Sequence, residues 1–176
     1  LDPFFGEASL RVAQYAEKLN KPIVTIDCKF DDPIFLGSAV AIISEEYLRD
    51  SYPHHGISSI TRKYKENSSG TVIFTFGHRE ILYGSSEEKY EEYTPYRISP
   101  VDPTGAGDSF RAGIIYGTVK KWPIGKTIEF ASALAAIVCQ SFPGVLNSPS
   151  YDKVISFMNN DTSDSYMTGH PEDARG

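Results

Sequence analysis

Cysteine is scarce in this sequence: Cys28 and Cys139 are the only two among 176 residues, and they lie far apart with no Cys-x-x-Cys spacing. That pattern does not describe a disulfide framework, and the two thiols read as small apolar residues in a reducing compartment. Histidine is also sparse. His54, His55, His78 and His170 fall in polar or loop-like stretches without matching cysteine or carboxylate spacing, so no zinc site is indicated. No stretch approaches the roughly 20 apolar residues that cross a bilayer. The most apolar helix-like segment, residues 128–138, is short and rich in alanine. No basic region precedes an apolar stretch at the start, so no secretory leader and a cytoplasmic location are expected, with no membrane partner. An excess of positive charge is missing too. The formal net charge of −6 disfavours nucleic acid as a partner, although a local backbone nest can still hold phosphate. Asn67-Ser68-Ser69 and Asn160-Asp161-Thr162 match the glycosylation pattern by chance, given no leader.

What is present is ordinary for a folded chain: 40% hydrophobic and 23% charged residues, in a length that suits one domain or a large part of one. Residues 7–19 read as a helix, with Ala8, Val12, Tyr15, Ala16 and Leu19 on one face. Asn20-Lys21-Pro22 ends it. Residues 23–27, 39–43 and 71–76 are runs rich in β-branched residues, of the kind buried on both faces of a sheet. Helix-like segments at 45–50 and 57–66 lie between them. Such alternation predicts an α/β layered fold with a mainly parallel sheet. After Gly77, residues 80–83 and 93–98 read as an antiparallel hairpin, with acidic residues 87–92 as its solvated connection. Helices are expected at about 108–120, 127–140 and 151–158, and the polar tail 159–176 is expected to be mobile.

The densest information lies in Val101-Asp102-Pro103-Thr104-Gly105-Ala106-Gly107-Asp108-Ser109-Phe110. A glycine-rich turn that opens a helix can direct several N–H groups, and the positive end of the helix dipole, at one anion. Asp108 then stands beside whatever is held there. An anion cradle next to a carboxylate base is what phosphoryl transfer to a hydroxyl requires. A plainer reading is also open, in which Asp108 is only an acid favouring the first helical turn.

This run resembles the C-terminal signature of the PfkB/ribokinase family of carbohydrate kinases, Asp-Thr-Thr-Gly-Ala-Gly-Asp-(Ser/Thr)-Phe, from which only Pro103 differs in kind. The order of elements is also similar, over residues 1–158. The resemblance implies a ribokinase-like three-layer α/β/α sandwich. It implies ATP as phosphoryl donor, Mg²⁺, and a sugar or nucleoside as acceptor. Asp108 would be the catalytic base, and Gly105, Ala106 and Gly107 would offer amides to the transferring group. Thr75-Phe76-Gly77 matches the family's Thr-x-Gly nucleotide loop, but Glu80 stands where that loop usually has another glycine, and a simple strand-joining turn is the other reading. Gly144 matches a glycine near the adenine pocket. Asp102 and Thr104 match positions that help form a monovalent cation (K⁺) site, though Asp102-Pro103 can equally set a turn. The family's Asn-x-x-Glu metal motif reads Ser44-Glu45-Glu46-Tyr47 here. Glu46 could supply a Mg²⁺ ligand after a one-residue shift, or Ser44 could simply cap a helix whose first turn carries two acids.

Two look-alikes are set aside. Gly125-Lys126-Thr127 lacks the first glycine of a P-loop, because position 120 is lysine. Gly105-x-Gly107-x-x-Phe110 ends in a bulky residue and does not open a βαβ unit. The resemblance starts in mid-family, so the expected domain is the nucleotide-side portion of a kinase, 1–158, followed by the tail 159–176. The front half, which carries much of the sugar site, would be missing or encoded elsewhere, and self-association through an open strand edge is expected. Two functions compete: an ATP-dependent carbohydrate kinase, and a non-catalytic binding or scaffolding protein that keeps the fold with a degenerate nucleotide and metal site.

Overall fold

A computed structural model describes residues 1–85 and 90–167, and it divides into two compact units, Leu1–Pro95 and the part from Tyr96 onward.

The first unit is a five-stranded sheet with helices. Its elements are α1 (Glu7–Lys18), β1 (Val24–Ile26), the short α2 (Pro33–Leu36), β2 (Val40–Ser44), α3 (Glu45–Ser51), α4 (Ile57–Asn67), β3 (Thr71–Thr75), β4 (Ile81–Gly84) and β5 (Glu91–Tyr93). The strands lie in the order β1-β2-β3-β4-β5. β1, β2 and β3 run parallel, while β3-β4 and β4-β5 are antiparallel, so the sheet is mixed. Alternate residues of β2 and β3 build one core face. Ala41, Ile43, Val72 and Phe74 meet Phe35 of α2, Leu48 of α3 and Ile60 and Tyr64 of α4. Tyr64 is fully buried, and its hydroxyl donates to the Cys28 carbonyl at 2.6 Å. Burial of that ring pushes the Tyr64 phenol well above its ordinary range. Cys28 and Cys139 are both free and buried, as their scarcity and apolar settings suggest, and burial pushes the Cys28 thiol up to about 12.

Two sequence expectations shift here. The inward face of α1 is not the one carrying Val12, Tyr15 and Leu19, which stay exposed. Ala13 is buried against Ile23 and Ile34, with Leu10 and Ala16 beside it. Small side chains let the helix approach closely, and buried Ser9 is satisfied by donating its hydroxyl to the Asp2 carbonyl. The second hairpin strand is Glu91–Tyr93 rather than 93–98, since Pro95 cannot donate to a ladder. Acidic residues 91 and 92 therefore belong to a strand, and part of the expected connection, 87–89, lies outside the described residues.

The second unit is helical: α5 (Ala106–Val119), α6 (Ile124–Cys139), a single 3₁₀ turn (Gly144–Asn147) and α7 (Tyr151–Met167). Gly113 lets α5 pack on α6, since a Cβ there would lie 2.5 Å from the Ala131 Cα. α6 buries Phe130, Ala133 and Ile137 against Val154 and Met158 of α7. The helical backbone of α7 continues nine residues beyond the expected end at 158, because no glycine or proline intervenes before Gly169. The remainder of the tail, 168–176, lies outside the described residues. Among the described residues, no helix is long and apolar enough to cross a membrane.

Candidate active site

The turn 101–105 is tied down before α5 begins. The amides of Val101 and Asp102 both donate to the Cys139 carbonyl at the end of α6, at 2.7 and 3.1 Å. Asp102 then folds the chain back on itself: Oδ1 accepts the Thr104 amide at 3.0 Å, and Oδ2 faces the Gly144 amide at 3.5 Å. The Thr104 hydroxyl, followed by the Thr104 amide, holds the Asp102 carboxyl below the usual carboxylate range. Asp102 and Thr104 are thus brought together, as an Asx-type turn that presets the helix entry.

Gly105 caps α5 in the left-handed region, φ 80°. A side chain there would also run into Val145, so the position excludes a Cβ on two counts. The Ala106 amide donates to the Pro103 carbonyl at 3.1 Å. That closes the turn and removes Ala106 from the set of amides expected to face a ligand. Ser109 makes the first helical bond, to the Gly105 carbonyl at 2.9 Å. Among the described residues, no partner takes the amides of Gly105, Gly107 or Asp108. Beside Gly107, the direction a Cβ would take is open space. Unmet first-turn donors, reinforced by the helix dipole, are suited to a phosphate-like anion. The Asp108 carboxylate stands in the same turn, 75% exposed, with Arg111 Nη2 3.6 Å from its Oδ1. It is reachable from solvent, which a proton acceptor for an incoming alcohol must be.

Gly144 is buried behind this turn. A Cβ on it would meet the Val138 carbonyl at 2.6 Å, so glycine is needed there for the backbone to pass the end of α6. Its neighbour Val145 abuts Gly105, which makes the 3₁₀ turn a support for the helix cap.

The remaining candidates belong to the first unit. Thr75 ends β3, paired with Ser44 on one side and Ile81 on the other. Gly77, at φ 66°, makes the turn to β4, which is closed by Phe76 N–H to Glu80 O at 3.1 Å. Ser44 caps α3 by accepting the Tyr47 amide at 3.1 Å. Glu46 is exposed in the first turn of α3, and no cluster of histidine, cysteine or carboxylate groups that could hold a metal occurs among the described residues.

Sequence reading missed an ion-pair network beside that turn. Arg79 binds Glu45 at 2.7 Å and lies 3.5 Å from Glu80, while Arg49 binds Glu45 at 2.8 Å. Arg79, then Arg49, holds the Glu45 carboxyl below its ordinary range. Only the parallel register of β2 and β3, which sets Ser44 beside Thr75, brings positions 45 and 79 together. Asp27 was missed as well. It takes a positive φ of 37° and accepts the Ser44 amide at 2.8 Å, locking the end of β2.

Comparison with known proteins identifies the family and the fold. Residues 40–150 match the pattern of the pfkB family carbohydrate kinases. The chain is 41% identical over 105 residues to a 5-dehydro-2-deoxygluconokinase of Geobacillus thermodenitrificans, covering 59% of this chain and 31% of that one. It is 40% identical over 84 residues to a nucleoside kinase of Methanocaldococcus jannaschii, covering 48% and 28%. Among solved structures, Arabidopsis thaliana ribokinase complexed with ribose and ATP superposes with a TM-score of 0.72 at 19% identity, over 84% of this chain and 50% of that one. That likeness shows a ribokinase-like α/β fold. The chain belongs to the pfkB family of carbohydrate kinases. It spans half, or less, of the length of the relatives it matches here.

Proposed function

We propose that this chain forms the nucleotide-side part of a kinase that transfers a phosphoryl group from ATP to a hydroxyl of a sugar or nucleoside. The observation that carries this reading is the opening of α5, where the unpaired amides of Gly107 and Asp108 stand beside an exposed carboxylate. Nothing stands within 4 Å of where a Gly107 Cβ would lie, so an anion can approach these amides. ATP supplies the phosphoryl group; the chain's own residues position and polarise. The amides of Gly105, Gly107 and Asp108 donate to the oxygens on which charge accumulates. The Asp108 carboxylate accepts the proton of the attacking hydroxyl, so that the nucleophile gains charge only as the new bond forms. Catalysis of this type rests on positioning and on fixed dipoles rather than on covalent chemistry.

Thr75 and Gly77 are proposed to line the nucleotide loop and Gly144 to stand near the base, as in the resemblance described above. Mg²⁺ would be held mainly by phosphate oxygens and water, with Glu46 as the one carboxylate offered for it, since Mg²⁺ retains several waters. A K⁺ site at Asp102 and Thr104 would have to share a carboxylate already engaged by the Thr104 and Gly144 amides. The test is an ADP-release assay of the full gene product with MgATP across a panel of sugars and nucleosides, in K⁺ and in Na⁺. Turnover with at least one acceptor is expected. ATP binding by calorimetry with no turnover on any acceptor would favour the second reading, a non-catalytic binding protein on the same fold. The observations favouring that reading are the departures at Ser44 and Tyr47 and the loop turn that Glu80 closes.

A further inference from the structure

Arg111 lies three residues after Asp108 on α5, and it is the only cationic residue in that helix. Residues three apart share a helix face, and side chains lean toward the helix N-terminus, so the guanidinium reaches back to the turn that carries the open amides. Two features show that its hydrogen-bonding capacity is not used up. Its Nη2 stands 3.6 Å from the Asp108 carboxylate, beyond the 2.7–2.9 Å of a formed charge-assisted bond. Its Nε is buried and has no partner, which holds for no other buried side-chain nitrogen or oxygen among the described residues. A guanidinium has five donors in a rigid fork that matches phosphate geometry. In a chain of net charge −6, a cation at this place is conspicuous.

We propose that Arg111 contacts the transferred phosphoryl group directly. This rests on the kinase reading given above. In the resting state the guanidinium stands near Asp108. With a phosphate at the α5 N-terminus it donates to a phosphate oxygen and leaves the carboxylate free for the acceptor hydroxyl. During transfer, the bond from phosphorus to the acceptor oxygen forms as the bond to the ADP oxygen breaks. The acceptor proton goes to Asp108, and Arg111 keeps its protons and offsets the charge on the oxygens.

The test compares the full chain with Arg111→Met and Arg111→Lys by calorimetry with adenosine, tripolyphosphate and ATP, alongside thermal melts. Arg111→Met should weaken tripolyphosphate and ATP binding about tenfold or more, leave adenosine binding unchanged and leave the melting temperature unaltered or higher. Arg111→Lys should retain part of the lost affinity. Tripolyphosphate binding by Arg111→Met as tight as that of the unsubstituted chain overturns the proposal. Equal weakening of adenosine and tripolyphosphate with a lowered melting temperature overturns it too, because that is a structural role. So does an unsubstituted chain that binds no tripolyphosphate. The kinase reading fails separately. Arg111-dependent phosphate binding with no turnover on any acceptor removes the kinase and keeps the contact. Turnover with kcat and KM unmoved by Arg111→Met removes the contact and keeps the kinase.

Discussion

At the scale of single residues, the candidate site depends on two positions, Gly105 and Gly144, where the backbone could not tolerate an ordinary side chain. Gly105 combines a φ of 80° with the Val145 side chain in the space a Cβ would need. Gly105→Ala is therefore expected to cost about 1–3 kcal/mol, read as a lowered denaturation midpoint, and to weaken phosphate binding with it. Gly107 has no such neighbour. Asp102 is legible in a different way. Its carboxyl is held below the ordinary range by Thr104, so it contributes stability that is fully present above the unfolded-state value. That contribution is lost as pH falls through the folded value. Melts of the native chain and of Asp102→Asn should therefore differ at pH 7 and converge in acid; a constant difference across pH would contradict this. The motif around Gly105-Asp108 was plain in the sequence because each residue type there answers a local constraint. The loss of the Ala106 amide to Pro103 was not, since it depends on how one peptide turns. The Arg79–Glu45 pair was hidden for another reason: it joins segments far apart in the chain that only the pairing of β2 with β3 brings together.

At the scale of elements, the reading of the sequence was strongest where periodicity and β-branching agree. The three parallel strands were found within one or two residues, as were the helices at 45–51 and 57–67, and the helix at 124–139 starts three residues before its expected beginning at 127. It failed where size mattered more than apolarity. α1 turns small residues inward and leaves Val12, Tyr15 and Leu19 outside, against the choice that its largest apolar residues suggest. The short α2, a 3₁₀ turn at Pro3–Phe5 and the 3₁₀ turn at Gly144–Asn147 are set by Asp32 and Pro33, by Asp2 and Pro3, and by the Gly144 contact, signals too brief for a periodicity reading. The α5–α6 crossing is the clearest element-scale claim. Gly113 meets Ala131, and Gly117 meets Thr127 one turn later. Gly113→Leu should force the helices apart and destabilise the unit by about 1–3 kcal/mol or more. Chemical denaturation measures it, and an unchanged midpoint would show that the helices are not packed on their glycines.

At the scale of the whole molecule, β1 stands at one end of the sheet order, paired only with β2 among the described strands. The Leu1 ammonium donates to the Val24 carbonyl at 2.6 Å, which covers one of its edge groups. The three residues of β1 are buried on both faces, so an open edge there is a place for another strand to add. The chain as it stands is expected to self-associate, with light scattering showing a mass that rises with concentration. A constant monomer mass over a broad range would contradict this.

The family and the α/β class were both readable from the signature and the element order, because the fold repeats one physical pattern of buried strand and covering helix. The acceptor was not readable, since no residue of this chain is assigned to recognise it. The central claim is that Asp108 takes the acceptor's proton while the α5 amides hold the phosphoryl group. It is tested most directly by the MgATP-dependent phosphoryl transfer rate of the full gene product and of its Asp108→Asn variant, measured with the best acceptor. The expected result is a fall in kcat of about 10²–10⁴ with ATP affinity retained. An Asp108→Asn enzyme that turns over at the native rate would contradict the account.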